Sequence, residues 1–85
     1  MIGFAVMRTV VLFGKPECHL CDEMKAIVSG VRRDIPFALE IVDITGDPVL
    51  AETYKTEIPV LVIDGRKAFK YRVDPATLRR RLLAS

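Results

Sequence analysis

The sequence predicts an α/β domain in which helices cover a four-stranded mixed sheet. The chain contains short apolar runs rich in β-branched residues, which are typical of strands. It also contains segments whose apolar residues recur at three- and four-residue steps, as in helices. Proline, glycine and aspartate, which favour turns and helix starts, separate these segments. The 85 residues suffice for one domain, which we expect to span residues 1–85.

The first strand is predicted at Thr9–Phe13, where β-branched and apolar residues follow one another without alternation. This pattern is typical of a strand that is buried on both faces. The segment Gly14–Glu17 contains a glycine and a proline and is predicted to end the strand.

A helix is predicted to begin at Cys18. Acidic residues lie in its first turns and Arg32 and Arg33 lie near its end, an arrangement that complements the helix dipole. The apolar face of this helix consists of Leu20, Met24, Ile27, Val28 and Val31.

The middle of the chain is predicted to add a second strand and a short helix. The strand is expected at Phe37–Val42, which is mostly apolar. Asp47 then suits a helix cap and Pro48 the first helical position, so a helix is predicted from there to about Tyr54.

The last third of the sequence predicts a hairpin and a final helix. Val60–Ile63 and Lys67–Tyr71 flank Asp64-Gly65, a strong signal for a two-residue β-hairpin. A capped helix start then precedes a helix at Ala76–Leu83. In the resulting order, β-α-β-α-β-β-α, the first two strands flank a crossover helix and should be parallel, whereas the last two should be antiparallel.

Composition and charge exclude several classes of protein. A hydrophobic content of 51% with a net charge of only +2 excludes intrinsic disorder and gives no indication of nucleic-acid binding. No apolar run approaches the ~20 residues that span a bilayer. The apolar start lacks a leading basic residue and a cleavage site, so it does not fit a signal peptide; we expect residues 1–7 to form a loose N-terminal extension.

Two cysteines, Cys18 and Cys21, are separated by two residues. A disulfide between them closes too small a loop to add much stability, so the pair indicates chemistry. At a helix start, unpaired amides and the helix dipole favour a thiolate on Cys18. Cys21 lies one turn further along the same face, within reach for a disulfide. We therefore predict Cys18 as the exposed catalytic nucleophile and Cys21 as the more buried resolving thiol.

The chain from Arg8 to Leu83 resembles the thioredoxin superfamily. The motifs that carry the resemblance are Cys-His-Leu-Cys between a strand and a helix, and Ile58-Pro59-Val60-Leu61 ahead of a hairpin. The short length is similar to that of glutaredoxin-like proteins. The resemblance implies a thioredoxin-like (glutaredoxin-like) fold and a cis bond before Pro59, with the backbone of Ile58 facing the dithiol. A substrate peptide or glutathione would then add to Ile58 as a β-strand.

The site departs from that family at several positions. Glutaredoxins usually have Pro-Tyr between the cysteines and Gly-Gly before the final helix; this chain has His-Leu and Tyr71-Arg72-Val73. The resemblance implies several glutathione-binding positions, and this chain has a matching residue at only two of them. These residues are Asp74 and, at the other end of the site, Lys15. We therefore expect glutathione, as a reductant, to bind weakly, and we expect no resident cofactor.

Several alternative interpretations stay open. The two cysteines can be inert core thiols, or soft ligands that hold a metal cluster bridged between two chains. Because His19 is the single histidine and one chain does not supply four ligands, no metal site is assigned. His19 is either a surface residue or a cation that tunes the dithiol. Pro59 can also be an ordinary trans proline that opens a strand.

The sequence therefore predicts a thiol–disulfide oxidoreductase that reduces protein or low-molecular-weight disulfides through Cys18 and Cys21. The alternative is a non-catalytic module of the same fold, such as an iron–sulfur or metal carrier that uses the same two cysteines. The expected partners are a disulfide substrate and a reductase or glutathione as electron source, with neither nucleic acid nor membrane. We expect a cytoplasmic monomer that serves electron transport and cell redox homeostasis.

Overall fold

The computed structural model describes residues 7–84. The expected loose extension therefore lies, except for Met7, outside the described residues. The predicted order of elements is confirmed. The elements are β1 (Thr9–Gly14), α1 (His19–Asp34), β2 (Ala38–Asp43), a 3-10 turn (Ile44–Gly46), α2 (Pro48–Tyr54), β3 (Val60–Ile63), β4 (Arg66–Lys70) and α3 (Pro75–Leu83).

The four strands form one mixed sheet in the order β2-β1-β3-β4. β1 pairs with β2 in parallel and with β3 antiparallel, and β3 pairs antiparallel with β4, as the sequence predicts for the first two strands and the last two. Gly14 pairs with Asp43 and Phe13 pairs with Val60. The carboxyl ends of β1 and β2 and the amino end of β3 therefore meet at one edge of the sheet, which is where the cysteine motif begins.

The main hydrophobic core lies between one face of the sheet and the helices α1 and α3. Met24 and Val28 of α1 and Leu78 of α3 are almost completely buried against the strands. Phe37, which the sequence places in the second strand, precedes β2 and is 1% exposed. Other members of this core are Val10, Leu12, Val31, Leu61, Ile63, Val73 and Leu82.

The second face of the sheet is less covered than the sequence predicts. Val10 and Leu12 are buried, whereas Val11 and Phe13 on the opposite face are only half-buried. The physical reason is the length of α2, which has seven residues and buries none of them completely. Its Tyr54 stacks on Phe13, with 4.7 Å between the ring centroids. The prediction that β1 is buried on both faces is thus wrong for one face.

The hairpin has the predicted two-residue turn, but its second strand begins and ends one residue earlier than predicted. Asp64 and Gly65 have φ values of +51° and +83°, the left-handed conformations that such a turn requires. β4 is Arg66–Lys70 rather than Lys67–Tyr71, because Tyr71 leaves the strand with a φ of +70°. Among residues 7–84, no helix is long and apolar enough to cross a membrane.

Candidate functional site

The two cysteines lie at the start of α1 and are joined by a disulfide. Cys18 is the N-cap residue, with extended backbone angles, and Cys21 lies in the first turn, with 5.2 Å between the two Cα atoms. Cys18 is half-buried, whereas Cys21 is 7% exposed. Cys18 is therefore the more exposed of the two cysteines, although it is less exposed than the sequence predicts.

The sulfur of Cys18 takes the place of a helix-capping oxygen. The backbone N–H of Cys21 donates to Cys18 Sγ at 3.1 Å. The first amides of a helix have no partner within the helix and carry the positive end of its dipole. A negative charge on Cys18 Sγ is therefore stabilised where it lies, as in cysteines whose thiolate is the reactive form.

Gly14, the last residue of β1, makes room for Cys21. A Cβ built on Gly14 would lie 3.1 Å from Cys21 Sγ and 3.3 Å from Cys21 Cβ, closer than side chains normally approach. Apart from the residues next to Gly14 in the chain, only these two atoms of Cys21 lie within 4 Å of that position. From the sequence, Gly14 is predicted only to end a strand. The signal that this prediction misses is that a glycine inside or at the end of a strand often marks a close approach of another group.

His19 lies on the surface beside the cysteines. Its side chain is 86% exposed, and its Nε2 lies 2.7 Å from a carboxylate oxygen of Glu23, one turn further along α1. This position fits a surface residue, and the tuning of the dithiol by His19 stays a prediction. Among the described residues, no group of three or more histidine, cysteine, aspartate or glutamate side chains is arranged to hold a metal ion.

The bond between Ile58 and Pro59 is cis, which confirms the prediction for this motif. Pro59 is buried and Ile58 half-buried, and both come directly before β3. Since Val60 pairs with Phe13 of β1, this loop lies at the same edge of the sheet as the cysteine motif. The chain thus brings Ile58 and Pro59 to the end of the sheet where Cys18 lies.

Residues of β4 and its end hold the loop that leads to Pro59. The hydroxyl of Tyr71 donates to the carbonyl of Thr56 at 2.9 Å, and the N–H of Tyr71 donates to the carbonyl of Pro59 at 2.8 Å. Lys67 forms an ion pair with Glu57. The hydrogen bond from Lys67 lowers the pKa of Glu57, and the hydrogen bond to Glu57 raises the pKa of Lys67. No motif in the sequence indicated these contacts, because they join residues that are distant along the chain.

The structure places the two remaining site residues at different cavities. Asp74 caps α3: its carboxylate accepts from the N–H of Thr77 at 2.9 Å and from its hydroxyl at 2.6 Å. The hydroxyl hydrogen bond is the main cause that lowers the pKa of Asp74. Asp74 lines a cavity of about 350 Å³ between α1 and the segment before α3. Lys15 lines another cavity, of about 260 Å³, between α1 and β2.

The segment before α3 has side chains where the sequence comparison with glutaredoxins implies glycines. Tyr71 adopts a left-handed conformation that usually favours glycine. Val73 is 8% exposed and belongs to the main core. This segment is therefore held in place by a hydrogen-bonded tyrosine and a buried valine.

A four-stranded mixed sheet flanked by helices, with Cys-x-x-Cys at the start of α1 and a cis proline before β3, defines a domain of the thioredoxin fold. Residues 9–83 match the family model described as the glutaredoxin-like domain (DUF836). The chain therefore belongs to the glutaredoxin-like family.

Several known proteins are similar to this chain. A curated relative, the glutaredoxin-like protein YDR286C homolog of Dictyostelium discoideum, is 34% identical over 68 residues, which cover 73% of this chain. The match spans only 63% of the length of that relative. The solution structure of protein Ne2328 from Nitrosomonas europaea has a TM-score of 0.80 and 28% identity, with 96% of this chain and 99% of that chain covered.

Two further solved structures bear on the fold. The X-ray structure of XcR50 from X. campestris has a TM-score of 0.73 and 30% identity, with 86% of this chain and 93% of that chain covered. A thioredoxin from Halobacterium salinarum has a TM-score of 0.67 at 20% identity, with 88% and 71% covered, and shows the fold alone. Together, the fold, the family and the cysteine pair support thiol–disulfide redox chemistry in general.

Proposed function

We propose that the protein is a glutaredoxin-like thiol–disulfide oxidoreductase that reduces protein or low-molecular-weight disulfides. The observation that carries this proposal is the position of Cys18, whose sulfur accepts the N–H of Cys21 at the start of α1. Thiol–disulfide exchange needs a sulfur that attacks a disulfide as a thiolate and also leaves easily as a thiolate. A helix N-terminus provides such a sulfur because it stabilises the thiolate.

The reaction begins with the reduced dithiol. The thiolate of Cys18 attacks one sulfur of the substrate disulfide, a mixed disulfide forms and the first substrate thiol leaves. Cys21 then loses its proton and attacks the sulfur of Cys18, which releases the second substrate thiol and forms the Cys18–Cys21 disulfide. One substrate disulfide is reduced to two thiols while one protein dithiol is oxidised, so atoms and electrons balance.

The loop before β3 is proposed as the place where a peptide substrate binds. Ile58 and Pro59 lie at the same edge of the sheet as Cys18, and contacts from Tyr71 hold the loop in place. An extended peptide can form backbone hydrogen bonds with such a segment, and this β-addition orients the substrate without demanding particular side chains. Lys15 and Asp74, at two separate cavities, would contact different parts of a substrate.

The oxidised protein must be reduced again by a second thiol system. We propose that a protein reductase is the main electron source and that glutathione is a poor one, because Tyr71 and Val73 occupy the segment where glutaredoxins have glycines. A cytoplasmic location and a role in redox homeostasis would fit this cycle.

The proposal is tested by a disulfide-reduction assay with two separate electron sources. Hydroxyethyl disulfide and an oxidised peptide serve as substrates, with either glutathione plus glutathione reductase or thioredoxin reductase to return electrons. We expect turnover that depends on Cys18, so Cys18→Ser should be inactive in both systems. If neither source sustains turnover, and the reduced protein does not reduce either substrate even stoichiometrically, the proposal is wrong.

A further inference from the structure

A cleft lies on the side of the cysteine motif that faces β2, away from the Pro59 loop. It is bounded by the end of β1, the first two turns of α1 and the end of β2, and its volume is about 260 Å³. We call it the β2 cleft; the residues that matter here are Gly14, Lys15, Cys21, Asp22, Lys25 and Ile41. Because Cys21 lines the cleft and is bonded to Cys18, a molecule seated there lies beside one of the two cysteines of the disulfide.

The β2 cleft is lined by charged side chains of both signs that form no ion pair with the residues that the structure describes. Lys15, Asp22 and Lys25 are exposed, and none of the three takes part in an ion pair within residues 7–84. Lys25 follows Cys21 by one turn of α1, so both lie on the same side of the helix. The cleft is therefore lined by two ammonium groups, a carboxylate and one cysteine of the disulfide.

Two more residues define what can occupy this cleft. Asp43 also lines it, but the N–H and hydroxyl of Thr45 donate to its carboxylate at 2.8 and 2.6 Å, so this charge is already satisfied. Ile41, on the edge strand β2, is 49% exposed and forms an apolar wall. A small molecule with an apolar part, one carboxylate and one ammonium group fits these surroundings.

We propose that the β2 cleft binds the amino-acid end of a small zwitterionic disulfide of the cystine type. The carboxylate of this ligand pairs with Lys25 and Lys15, its ammonium group pairs with Asp22, and its methylene packs on Ile41. The inference rests on the proposed function, since it names a substrate class for the same dithiol. One such disulfide is consumed for each protein dithiol, and two amino-acid thiols and the Cys18–Cys21 disulfide are produced.

The test uses four disulfides that differ in charge. Cystine carries carboxylate and ammonium groups, dithiodipropionate only carboxylates, cystamine only ammonium groups, and hydroxyethyl disulfide neither. Single-turnover rates of the fully reduced protein are measured with each and divided by the rate of the same disulfide with dithiothreitol, which corrects for intrinsic reactivity. We expect the corrected rate to be highest for cystine.

Charge-removing variants then assign the contacts. Lys25→Gln should slow cystine and dithiodipropionate, relative to the neutral disulfide, by about two- to fivefold, the range for an exposed ion pair. Asp22→Asn should slow cystine and cystamine in the same way. Arg33→Gln removes an exposed charge near the far end of α1 and should change none of the four rates. Equal charge selectivity in Lys25→Gln, Asp22→Asn and the parent protein would overturn the proposal.

A binding measurement separates this inference from the proposed function. S-methylcysteine is zwitterionic but has no disulfide, so it tests binding without reaction. Titrated into the oxidised protein, it should shift the backbone amide NMR signals of Gly14, Asp22 and Ile41, and Lys25→Gln should weaken the effect. Such shifts without reduction of any disulfide would retain the cleft and reject the oxidoreductase. Reduction of all four disulfides without these shifts would retain the oxidoreductase and reject the cleft.

Discussion

Gly14 and Cys21 are in close contact: a Cβ on Gly14 would lie 3.1 Å from Cys21 Sγ, so Cys21 would have to shift by a few tenths of an ångström to admit it. In the oxidised protein the sulfur of Cys21 is held by its bond to Cys18, whereas in the reduced protein it can rotate away. We therefore expect residue 14 to affect the balance between the two redox forms.

We predict that Gly14→Ala destabilises the oxidised form more than the reduced form. Overpacking of a buried site costs about 1–3 kcal/mol, and we expect about 1 kcal/mol more of it in the oxidised form. A difference of that size raises the reduction potential by roughly 20 mV. The measurement is redox equilibration with a thiol buffer, followed by alkylation of the free thiols.

Gly30→Ala is the matched control for this substitution. Gly30 lies inside α1, and a Cβ there would meet no atom within 4 Å. The change should stabilise both redox forms about equally, by roughly 0.5–1 kcal/mol, and leave the potential unchanged. An unchanged potential in Gly14→Ala would show that Cys21 accommodates the methyl group equally well in both forms.

The two cysteines are predicted to have different roles. Because Cys18 Sγ accepts the N–H of Cys21 at the start of the helix, whereas Cys21 is buried, Cys18 should react with iodoacetamide at a lower pH than Cys21. Cys18→Ser should lose all disulfide exchange. Cys21→Ser should still form a mixed disulfide and retain its partner, because the attack survives while resolution does not. Mass spectrometry of the alkylated peptides over a pH series measures the first effect; faster alkylation of Cys21 would reverse the assignment.

Glutathione is predicted to be a weak ligand and a poor reductant. The segment before α3 holds a buried Val73 and a Tyr71 whose hydroxyl is bonded to Thr56, and these side chains obstruct a close approach of ligand to backbone. Calorimetric titration of the oxidised protein with glutathione should show no tight binding, and turnover with glutathione alone should be slow. Tight binding together with efficient turnover would contradict this prediction.

Acid stability is predicted to depend on Asp64 in the hairpin turn. The pKa of Asp64 lies below its ordinary value of 3.8, mainly because the N–H of Thr9 donates to its carboxylate at 3.0 Å. The hydrogen bond from the guanidinium of Arg8 is the second cause. A carboxyl group whose pKa is lowered in the folded state stabilises the fold above its unfolded-state pKa, and this stabilisation is lost as the pH falls through the folded-state pKa. The loss should therefore begin below about pH 4.

Asp64→Asn tests this prediction because asparagine also tolerates the left-handed conformation of this position. Thermal unfolding between pH 7 and pH 2.5 should show a smaller loss of stability on acidification in the variant than in the parent. Asp43→Asn should also reduce the acid sensitivity, since hydrogen bonds from Thr45 lower the pKa of Asp43. Identical pH profiles for Asp64→Asn and the parent would show that Asp64 does not contribute to the loss of stability at low pH.

Much of the architecture could be predicted because it depends on local signals. Asp47 and Asp74 cap the helices that follow them, and Asp64 with Gly65 forms the hairpin turn, because these residues favour such conformations wherever they occur. The end of β4 could not be placed in the same way. Tyr71 continues the strand pattern in the sequence, but its hydroxyl and its backbone are bonded to the Pro59 loop, and these contacts turn it out of the strand.

The sequence by itself determined the order of elements and the position of the cysteine pair at a helix start, since each follows from residues that are neighbours along the chain. The cis bond before Pro59 was implied by the resemblance to a known family, and the structure shows it. Only the tertiary structure decided what surrounds the pair. The contact of Gly14 with Cys21, the bonds that hold the Pro59 loop and the cleft beside β2 each join segments from different parts of the chain. Such contacts depend on how the sheet orders its strands and on which face a helix covers, and no local pattern of residues specifies either.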